Sequence, residues 1–312
     1  MKILIAGAAG FHFSNFIRKI LYNRADIELI GIDKIYNSSQ ISNIYVNKKH
    51  IFYIGDISDK HFVETVFLKE EPDYVINAAQ IISNSEDVIK TNILGTQILI
   101  EASLKFKIKK FIQISTDKIF EQSTPVESGK KTEEDLIPPS NNLFATTKLS
   151  SEMLVKLAGN FGLNYNIIRS CNCFGPRQPI NGFIPKVIKN ILNEEKTDLY
   201  FQGSLVREWI YIDDYCDAVL KILEIGANNE IYHISTGYEI TNLELYQKIC
   251  NIFEKGHNLM NFPKNCCNPN FRNSLNSEKL RKLGWKPDTK FSSGLVECSN
   301  WYNANKWFFI NN

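Results

Sequence analysis

An aromatic residue and a lysine lie four positions apart at Phe144 and Lys148, the spacing of a catalytic Tyr-x-x-x-Lys pair in which phenylalanine replaces tyrosine. Residues four apart on a helix share one face, so both side chains can address one bound substrate and its cofactor. In such a pair the lysine lowers the pKa of the phenol, which then accepts a proton near neutral pH. Phe144 keeps the ring and lacks the hydroxyl. Three interpretations follow: another residue supplies the base, the chain is impaired, or the hydroxyl was removed to trap a ligand.

The second chemical feature is the loop Gly7-Ala8-Ala9-Gly10, which follows an apolar run and opens a helical pattern. In that context the backbone can approach a pyrophosphate, and the helix N-terminus faces its charge. Phe13 stands where a third small residue is usual, which predicts looser or rearranged helix packing. Asp33 ends the next apolar run, where a carboxylate can accept both ribose hydroxyls and would repel a 2′-phosphate. These residues predict NAD rather than NADP, with a solvated turn aspartate as the alternative for Asp33.

Strands and helices must alternate to position these residues. The predicted strands are Ile3–Ala6, Glu28–Ile32, Ile51–Ile54, Tyr74–Asn77, Lys110–Ser115 and Asn164–Arg169. The predicted helices lie near Ser14–Leu21, Asp59–Lys69, Val88–Ser103 and Ala145–Leu157. Such an alternation is typical of a Rossmann-type α/β fold, a doubly wound parallel sheet covered by helices on both faces. We expect an NAD-binding domain over residues 1–170, rejoined by some later segments, and a smaller, mainly substrate-binding region over 171–312.

Length and composition limit the classes of function. The chain has 312 residues, 44% of them hydrophobic, which is enough for one large or two modest domains. Its net charge of +2 is spread along the chain, so no basic patch of a nucleic-acid binder is expected. No apolar run approaches the roughly 20 residues of a membrane span, and no signal-peptide core is present. A small-molecule partner and a cytoplasmic location are therefore predicted.

Cysteine usage favours reduced thiols over a disulfide framework, because the chain has seven cysteines, an odd number. Cys171, Cys173, Cys266 and Cys267 lack the Cys-x-x-Cys pairs or spaced histidines of a zinc site, so no metal is expected.

Taken in order, the motifs resemble the extended short-chain dehydrogenase/reductase family, in its nucleotide-sugar branch of 4,6-dehydratases and 4-epimerases. The matching motifs cover nearly the whole chain: Gly7–Phe11, Asp33, Asp56-Ile57, Thr91-Asn92, Ser115-Thr116-Asp117, Lys148, Asn172 through Pro176, Arg207-Glu208-Trp209, Tyr211 to Asp214 and Gly284-Trp285-Lys286-Pro287. The resemblance implies an NAD-dependent lyase that acts on a nucleoside-diphosphate hexose. A 4-epimerase or C4 oxidoreductase remains an alternative, as does a sugar-nucleotide-binding protein without turnover.

The resemblance also implies catalytic roles at Thr116, Asp117 and Lys118, beside Phe144 and Lys148. Thr116 would hold the sugar C4 hydroxyl, and Asp117 would protonate the water that leaves C6. Lys118 would be the base at C5, as in the Thr-Asp-Lys variant that resembles C5-inverting UDP-N-acetylglucosamine dehydratases. A surface lysine paired with Glu121 is the alternative for Lys118.

Binding residues are carried over from the same motifs. The implied cofactor contacts are Gly7, Gly10, Phe11, His12, Asp33, Lys34, Asp56, Ile57, Ala78, Ala79, Gln80, Thr91, Lys148 and Cys173. The implied substrate contacts are Thr116, Asn172, Phe183, Ile184, Lys186, Val187, Tyr200, Arg207, Asn242 and Arg272. The spacing of Phe183, Ile184 and Val187 also suits a buried helix face, and Tyr200 could be a buried aromatic.

Two segments and one interface complete the expectations. The segment from Ala79 to Thr91 is shorter than is usual in the family, and Gln122–Asn142 either orders over bound ligand or is a passive surface loop. The resemblance implies a homodimer in which helices near Val88–Ser103 and Ala145–Leu157 form a four-helix bundle. The apolar residues available for it are Ile93, Ile98, Leu149, Met153 and Leu157, which could instead line the monomer core.

Overall fold

The computed structural model describes residues 1–35, 41–82, 86–121, 129–264 and 272–309. The strands are β1 (Lys2–Ala6), β2 (Glu28–Asp33), β3 (His50–Ile54), β4 (Tyr74–Asn77), β5 (Lys110–Ile114), β6 (Tyr165–Ser170), β7 (Asn172–Phe174), β8 (Thr197–Asp198), β9 (Val206–Tyr211), β10 (Glu230–Ile234), β11 (Glu239–Thr241), β12 (Met260–Asn261) and β13 (Arg272–Asn273). The helices are α1 (Phe11–Asn23), α2 (Lys60–Glu70), α3 (Glu86–Ile89), α4 (Thr96–Lys105), α5 (Leu143–Gly159), α6 (Phe183–Leu192), α7 (Ile212–Ile225), α8 (Asn242–Phe253), α9 (Glu278–Lys282) and α10 (Phe291–Ala304).

Seven strands form one parallel sheet in the order β10-β6-β5-β4-β1-β2-β3. The strand order reverses between β1 and β4, because the chain winds outward first on one side of β1 and then on the other. The predicted doubly wound, Rossmann-type parallel sheet is thereby confirmed. β10 was not predicted as a strand, because its sequence EIYHI begins with a glutamate and has a histidine inside a short apolar run.

A smaller sheet lies beside the large one and is centred on β9. β9 pairs with β11 in antiparallel fashion and with β7 and β13 in parallel. β7 begins two residues after the end of β6, so the small sheet is joined directly to the large one. This junction places β9 next to the carboxyl edge of the parallel strands.

Helices cover both faces of the large sheet, and each face has its own hydrophobic core. Side chains of α1, α6, α7, α8 and α10 pack on one face, with Phe16, Ile188 and Ile222 fully buried there. Side chains of α2, α4 and α5 pack on the other face, represented by Val63 and Leu99. Apolar residues at helical spacing therefore fix both layers.

The helix predicted over Val88–Ser103 is interrupted by a π-helical turn, Lys90–Gly95, between α3 and α4. The wider turn is stabilised by two hydroxyls that donate to the carbonyl oxygen of Asn92, from Ser151 at 2.6 Å and from Thr96 at 2.7 Å. The Asn92 side chain accepts from the Ile81 nitrogen at 2.9 Å. Irregular turns of this kind are common at functional sites, and this one fixes the segment that follows β4.

Candidate active site

A cavity of about 880 Å³ opens at the carboxyl edge of the parallel sheet. It reaches from the glycine loop after β1 to β7 and β9 of the small sheet. The predicted residues that line it are Gly7, Gly10, Phe11, His12, Asp33, Lys34, Asp56, Ile57, Ala78, Ala79, Gln80, Thr91, Thr116, Asp117, Lys118, Phe144, Asn172, Cys173, Phe183, Arg207 and Asn242. Residues far apart in the sequence therefore meet where this architecture binds ligands.

Six predicted residues do not line this cavity. Lys148 is buried one helical turn below Phe144, and Ile184 and Val187 are fully buried in the core. Lys186, Tyr200 and Arg272 are exposed. For Ile184 and Val187 the alternative of a buried helix face fits, because α6 turns that face toward the sheet.

The glycine loop has the geometry that a dinucleotide needs. Gly7 adopts a φ of +84°, and a Cβ added to it would lie 2.7 Å from the backbone nitrogen of Ala79. Only glycine fits this left-handed, crowded position. Gly10 occupies the N-cap position of α1, so no side chain accepts hydrogen bonds from the first N–H groups of the helix. The first turn of α1 also contains no acidic residue. The N–H groups that begin α1 are thus available to an anionic ligand.

Asp33 is held at the end of β2 with its carboxylate against the glycine loop. Its Oδ2 accepts from the Ala9 nitrogen at 3.0 Å, and its Oδ1 accepts from the Ile35 nitrogen at 2.9 Å. Nearby, the Lys34 ammonium lies 3.2 Å from the Thr91 hydroxyl and 3.4 Å from Asp56 Oδ2. Three of the predicted cofactor contacts, Lys34, Asp56 and Thr91, are therefore linked to one another.

Phe13, at the position where a small residue is usual, is 1% exposed and packs against Phe16 with ring centroids 5.5 Å apart. The side chain belongs to the core on the α1 face, so the large ring is accommodated within the protein. In the loop before it, Gly7 keeps its left-handed conformation.

The segment Thr116–Lys118 follows β5 and places a carboxyl group inside the cavity. Asp117 is 4% exposed, and burial raises its pKa to about 6, although the charge of Lys118 opposes this. The Thr116 hydroxyl donates to Asp117 Oδ1 at 3.2 Å. A carboxyl group with this pKa carries a proton near neutral pH often enough to serve as a general acid.

Phe144 is buried at the start of α5, with its ring in the same cavity wall. The Asn142 side chain caps the helix by accepting from the Phe144 nitrogen at 3.0 Å and the Ala145 nitrogen at 3.3 Å. The Lys118 ammonium lies 5.8 Å from the centroid of the Phe144 ring. Within the described ranges Lys118 makes no ion pair with Glu121, so that alternative is not observed.

Lys148 belongs to a buried charge network beneath the cavity. Burial lowers its pKa to about 8, and Glu152, one turn further along α5, opposes the shift. Glu152 is itself fully buried and binds Arg169 through two contacts of 3.1 and 2.7 Å. Its Oε1 also accepts from the Ser115 hydroxyl at 2.5 Å, which ties α5 to the end of β5. The network thus fixes α5, which carries Lys148, against the segment Thr116–Lys118 that follows β5.

His233 ends this network and makes stability sensitive to acid. Burial, assisted by Arg169, lowers its pKa to about 3, so the unfolded chain binds more protons between pH 3 and the ordinary value near 6.5. Stability therefore falls as pH falls through that window. Between pH 7 and 5 the free energy of unfolding of the wild type should fall by about 2 kcal/mol more than that of His233→Gln, as measured by urea unfolding. Asp117, whose pKa is raised, changes stability with pH in the opposite direction, but it does so equally in the wild type and the variant. Equal losses of unfolding free energy in the two proteins would contradict the lowered pKa of His233.

The small sheet supplies one wall of the cavity. Glu208 is fully buried and accepts hydrogen bonds from the Ser235 hydroxyl, the Gly237 nitrogen at 2.5 Å, the Ser274 hydroxyl at 3.1 Å and the Leu275 nitrogen at 3.1 Å. The Asn172 amide donates to the Glu208 carbonyl oxygen at 3.2 Å. These bonds fix β9, which carries Arg207 into the cavity wall.

The two arginines predicted to contact substrate lie in different surroundings. Arg207 lines the cavity, where burial lowers the pKa of its guanidinium while Glu121 and Asp117 oppose the shift. Arg272 lies at the surface and forms a two-contact ion pair with Glu239, with N–O distances of 2.5 and 2.9 Å. A role for Arg272 in ligand binding would require that pair to open.

Three further cavity residues were missed by the sequence analysis. Gln178, Trp209 and Tyr215 line the cavity, and each has a buried polar atom with no hydrogen-bond partner in the part of the chain that is described. Trp209 is itself a motif position, and Gln178 and Tyr215 lie within two residues of motif positions, a signal that could have found all three.

The two remaining segments are described in part. Residues 122–128 of the segment Gln122–Asn142 and residues 83–85 of the segment after β4 lie outside the described ranges. Further along, the Lys131 backbone bonds to Ser274 and Asn276, with N–O distances of 2.9 and 2.7 Å. Residues near 131 are therefore anchored to the chain near β13.

The described residues contain no group of three histidine, cysteine or acidic side chains that could hold a metal ion. Five cysteines are buried free thiols: Cys171, Cys173, Cys216, Cys250 and Cys298. Cys266 and Cys267 lie outside the described residues. None of the described helices is both long and apolar enough to span a membrane.

Comparison with known proteins gives consistent matches along the chain. Residues 3–235 match the NAD dependent epimerase/dehydratase family. The low-salt glycan biosynthesis protein Agl12 of Haloferax volcanii is 34% identical, covering 97% of this chain and 98% of that protein. A dTDP-glucose 4,6-dehydratase of Streptomyces niveus is 30% identical, covering 98% and 94%. The crystal structure of dTDP-glucose 4,6-dehydratase from Bacillus anthracis in complex with NAD superimposes with a TM-score of 0.93 at 28% identity, covering 100% of both chains.

Proposed function

The chain belongs to the NAD-dependent epimerase/dehydratase family, and we propose that it catalyses the NAD-dependent 4,6-dehydration of a nucleoside-diphosphate hexose. The family membership confirms the resemblance inferred from the motifs. The observation that carries the proposal is Asp117, a buried carboxyl group with a pKa raised to about 6 in the same cavity as the glycine loop. Elimination of water needs such an acid, whereas oxidation and reduction at C4 alone do not.

The cofactor half of the cavity fits NAD. Gly7 leaves room for the diphosphate, and the N–H groups at the start of α1 can bind it. Asp33 supplies the carboxylate for the ribose hydroxyls. NAD held by these residues would supply the hydride acceptor for oxidation at C4 and the hydride donor for reduction at C6.

The proton transfers fall to residues around Thr116. Thr116 positions the C4 hydroxyl, and its own hydroxyl already bonds to Asp117. Asp117 donates its proton to the hydroxyl that leaves C6, so that water departs. In its neutral amine form, Lys118 removes the proton from C5 on the same cavity wall, and it gives that proton back to C5 when hydride is added at C6. A tyrosine at position 144 would supply a phenol to accept the proton of the C4 hydroxyl, and Phe144 has none. The Lys118 side-chain nitrogen lies beside the Phe144 ring.

The nucleotide diphosphate is assigned to Arg207. Its planar guanidinium is suited to two phosphate contacts, and it lines the cavity close enough to Asp117 for the two charges to interact. Asn172 and Phe183 close the cavity on the side of β7 and α6. Contacts from Lys186, Tyr200 and Arg272 would need movement of these exposed side chains.

Two other functions each have one observation in their favour. A 4-epimerase or C4 oxidoreductase is compatible with the presence of Thr116 and Lys148, although position 144 has no phenol. In such an enzyme Asp117 would have no proton to transfer to a leaving water. A nucleotide-sugar-binding protein without turnover is favoured by Phe144 itself, because a bound sugar would persist if the C4 hydroxyl kept its proton.

The test is to incubate the purified chain with dTDP- and UDP-hexoses and analyse the nucleotide sugars by mass spectrometry. A 4-keto-6-deoxy product, lighter by one water, supports the proposal. A 4-epimer of unchanged mass would support the epimerase, and tight binding without any product would support the binding protein. Mass spectrometry of the denatured protein should release NAD or its reduced form, and a preference for NADP would contradict the role of Asp33.

We also propose a homodimer through α5 and the helical segment from α3 to α4. Apolar side chains on these neighbouring helices are exposed: Ile89 by 52%, Leu94 by 47%, Met153 by 63% and Leu157 by 54%. Of the residues named from the sequence, Ile98 is only 7% exposed and belongs to the core. A contiguous exposed apolar face on two helices is typical of an interface.

The proposed dimer predicts that two substitutions at equally exposed positions change the dimer dissociation constant by very different factors. Leu157→Glu should raise the dimer dissociation constant about 10- to 100-fold, because it buries an unpaired charge. Ile225→Glu is the matched control, since Ile225 is also 54% exposed but lies on α7, on the opposite face of the sheet. Light scattering at micromolar concentration measures both. A wild-type monomer, or equal effects of the two changes, would remove the dimer.

A cytoplasmic location is also part of the proposal. It is supported by the five buried free thiols in the described residues, which suit a reducing compartment.

A further inference from the structure

Tyr215, on the first turn of α7, is a buried residue with an unused hydrogen-bond donor. Its side chain is 0% exposed, and its hydroxyl has no partner in the described part of the protein. The residue nevertheless lines the cavity. A buried hydroxyl without a partner is unfavourable for folding, so its presence in a ligand cavity points to a partner that the ligand supplies.

The position of Tyr215 identifies the part of the cavity that it faces. Its ring centroid lies 4.9 Å from that of His12, which directly follows Phe11 on the first turn of α1. α7 also packs against β7, whose Cys173 lines the same cavity. Tyr215 therefore lies between the helix that follows the glycine loop and β7.

The groups next to Tyr215 include the His12 ring and the N-terminus of α1. Burial lowers the pKa of His12 to about 4, so its ring is neutral at pH 7. The start of α1 contributes N–H donors that no capping side chain takes up. An oxygen-rich anion is the ligand chemistry that such a set of neutral donors favours.

We propose that Tyr215 is a cofactor-binding residue whose hydroxyl donates a hydrogen bond to a phosphate oxygen of the dinucleotide, beside the N-terminus of α1. The inference rests on the proposed function, because it requires NAD in this cavity. It adds a side-chain donor from α7 to the backbone donors of the glycine loop. It also explains why the hydroxyl is kept in a core position where phenylalanine would fill the same space.

The substitution Tyr215→Phe separates this role from a structural one by giving effects of opposite sign. Loss of a hydrogen bond to a charged oxygen should raise the NAD dissociation constant about 10- to 100-fold. The melting temperature of the cofactor-free protein should stay the same or rise, because an unpartnered buried hydroxyl is removed. A purely structural tyrosine would instead lower the melting temperature and leave the dissociation constant unchanged.

Tyr246→Phe is the matched control. The Tyr246 hydroxyl donates to the Gly256 carbonyl oxygen at 2.5 Å, away from the residues that line the cavity. This variant should lower the melting temperature and leave NAD affinity unchanged. The pair of variants therefore compares a donor kept for a ligand with a donor used within the protein.

Isothermal titration of the full chain, freed of copurified cofactor, should use NAD, ADP-ribose and adenosine. Tyr215→Phe should weaken NAD and ADP-ribose by the same factor and leave adenosine unaffected, since only the first two contain the diphosphate. Equal NAD affinity in wild type and Tyr215→Phe would overturn the inference and leave the proposed function standing. A wild type that binds no NAD would overturn both.

Discussion

Replacing Phe144 by tyrosine is expected to accelerate oxidation at C4 by about 100- to 10,000-fold, the range that general-base catalysis supplies. The ring already lies in the cavity wall with Thr116, and α5 is capped by Asn142, so the new hydroxyl needs no change of backbone. Lys148 lies one turn below, and the Lys118 ammonium is 5.8 Å from the ring centroid. A cation next to a phenol stabilises the phenolate and lowers its pKa.

The measurement is the single-turnover appearance of reduced-nicotinamide absorbance with the hexose nucleotide in excess. Phe183→Tyr is the control, because Phe183 lines the same cavity and the variant adds an identical phenol at another point on its wall. An accelerated Phe144→Tyr beside an unaccelerated Phe183→Tyr assigns the missing base to position 144. An unchanged rate in Phe144→Tyr would mean that Lys118 or an ordered water already accepts the C4 proton.

Lys118→Met is expected to reduce formation of the 4-keto-6-deoxy product by at least about 100-fold, since the amine that accepts the C5 proton is lost. Methionine keeps the unbranched chain against Phe144, so nucleotide-sugar binding should remain nearly intact. Product formation and the dissociation constant of the nucleotide sugar are measured on the same preparation. Lys282→Met, at an exposed position at the end of α9, should change neither quantity.

The two variants together test whether the chain has turnover of the proposed kind. No gain in Phe144→Tyr with no loss in Lys118→Met would defeat both assignments. The chain would then be a binding protein, or an enzyme whose base is a different residue.

The strands of the large sheet were predictable because they are short apolar runs with clear ends. Tyr74–Asn77 was predicted with its exact bounds, and four of the other predicted strands differ by one residue at one end. The strand predicted over Asn164–Arg169 is shifted by one residue at both ends relative to β6. The buried strand β10 was not recognised, because packing against β6 and not apolar composition makes it a strand. Pairing with a distant strand leaves no local signal in the sequence.

Local motifs also located most of the cavity lining, since their order fixes which strand ends meet. They could not distinguish Phe183, which lines the cavity, from Ile184, which is fully buried one residue later. Consecutive helical residues point in directions about 100° apart, so this choice depends on how α6 is rotated against the sheet. Tyr215 was missed for a related reason, because its neighbour His12 is on another helix.

The buried carboxylate of Glu208 has a consequence for the order in which the molecule is assembled during synthesis. Its four hydrogen-bond donors lie 27, 29, 66 and 67 residues further along the chain. Contacts at such separation cost loop-closure entropy and depend on segments that leave the ribosome late. The glycine loop and Asp33, by contrast, lie 24 residues apart and bond directly. A growing chain can therefore join the glycine loop to Asp33 well before the wall that carries Arg207 is fixed.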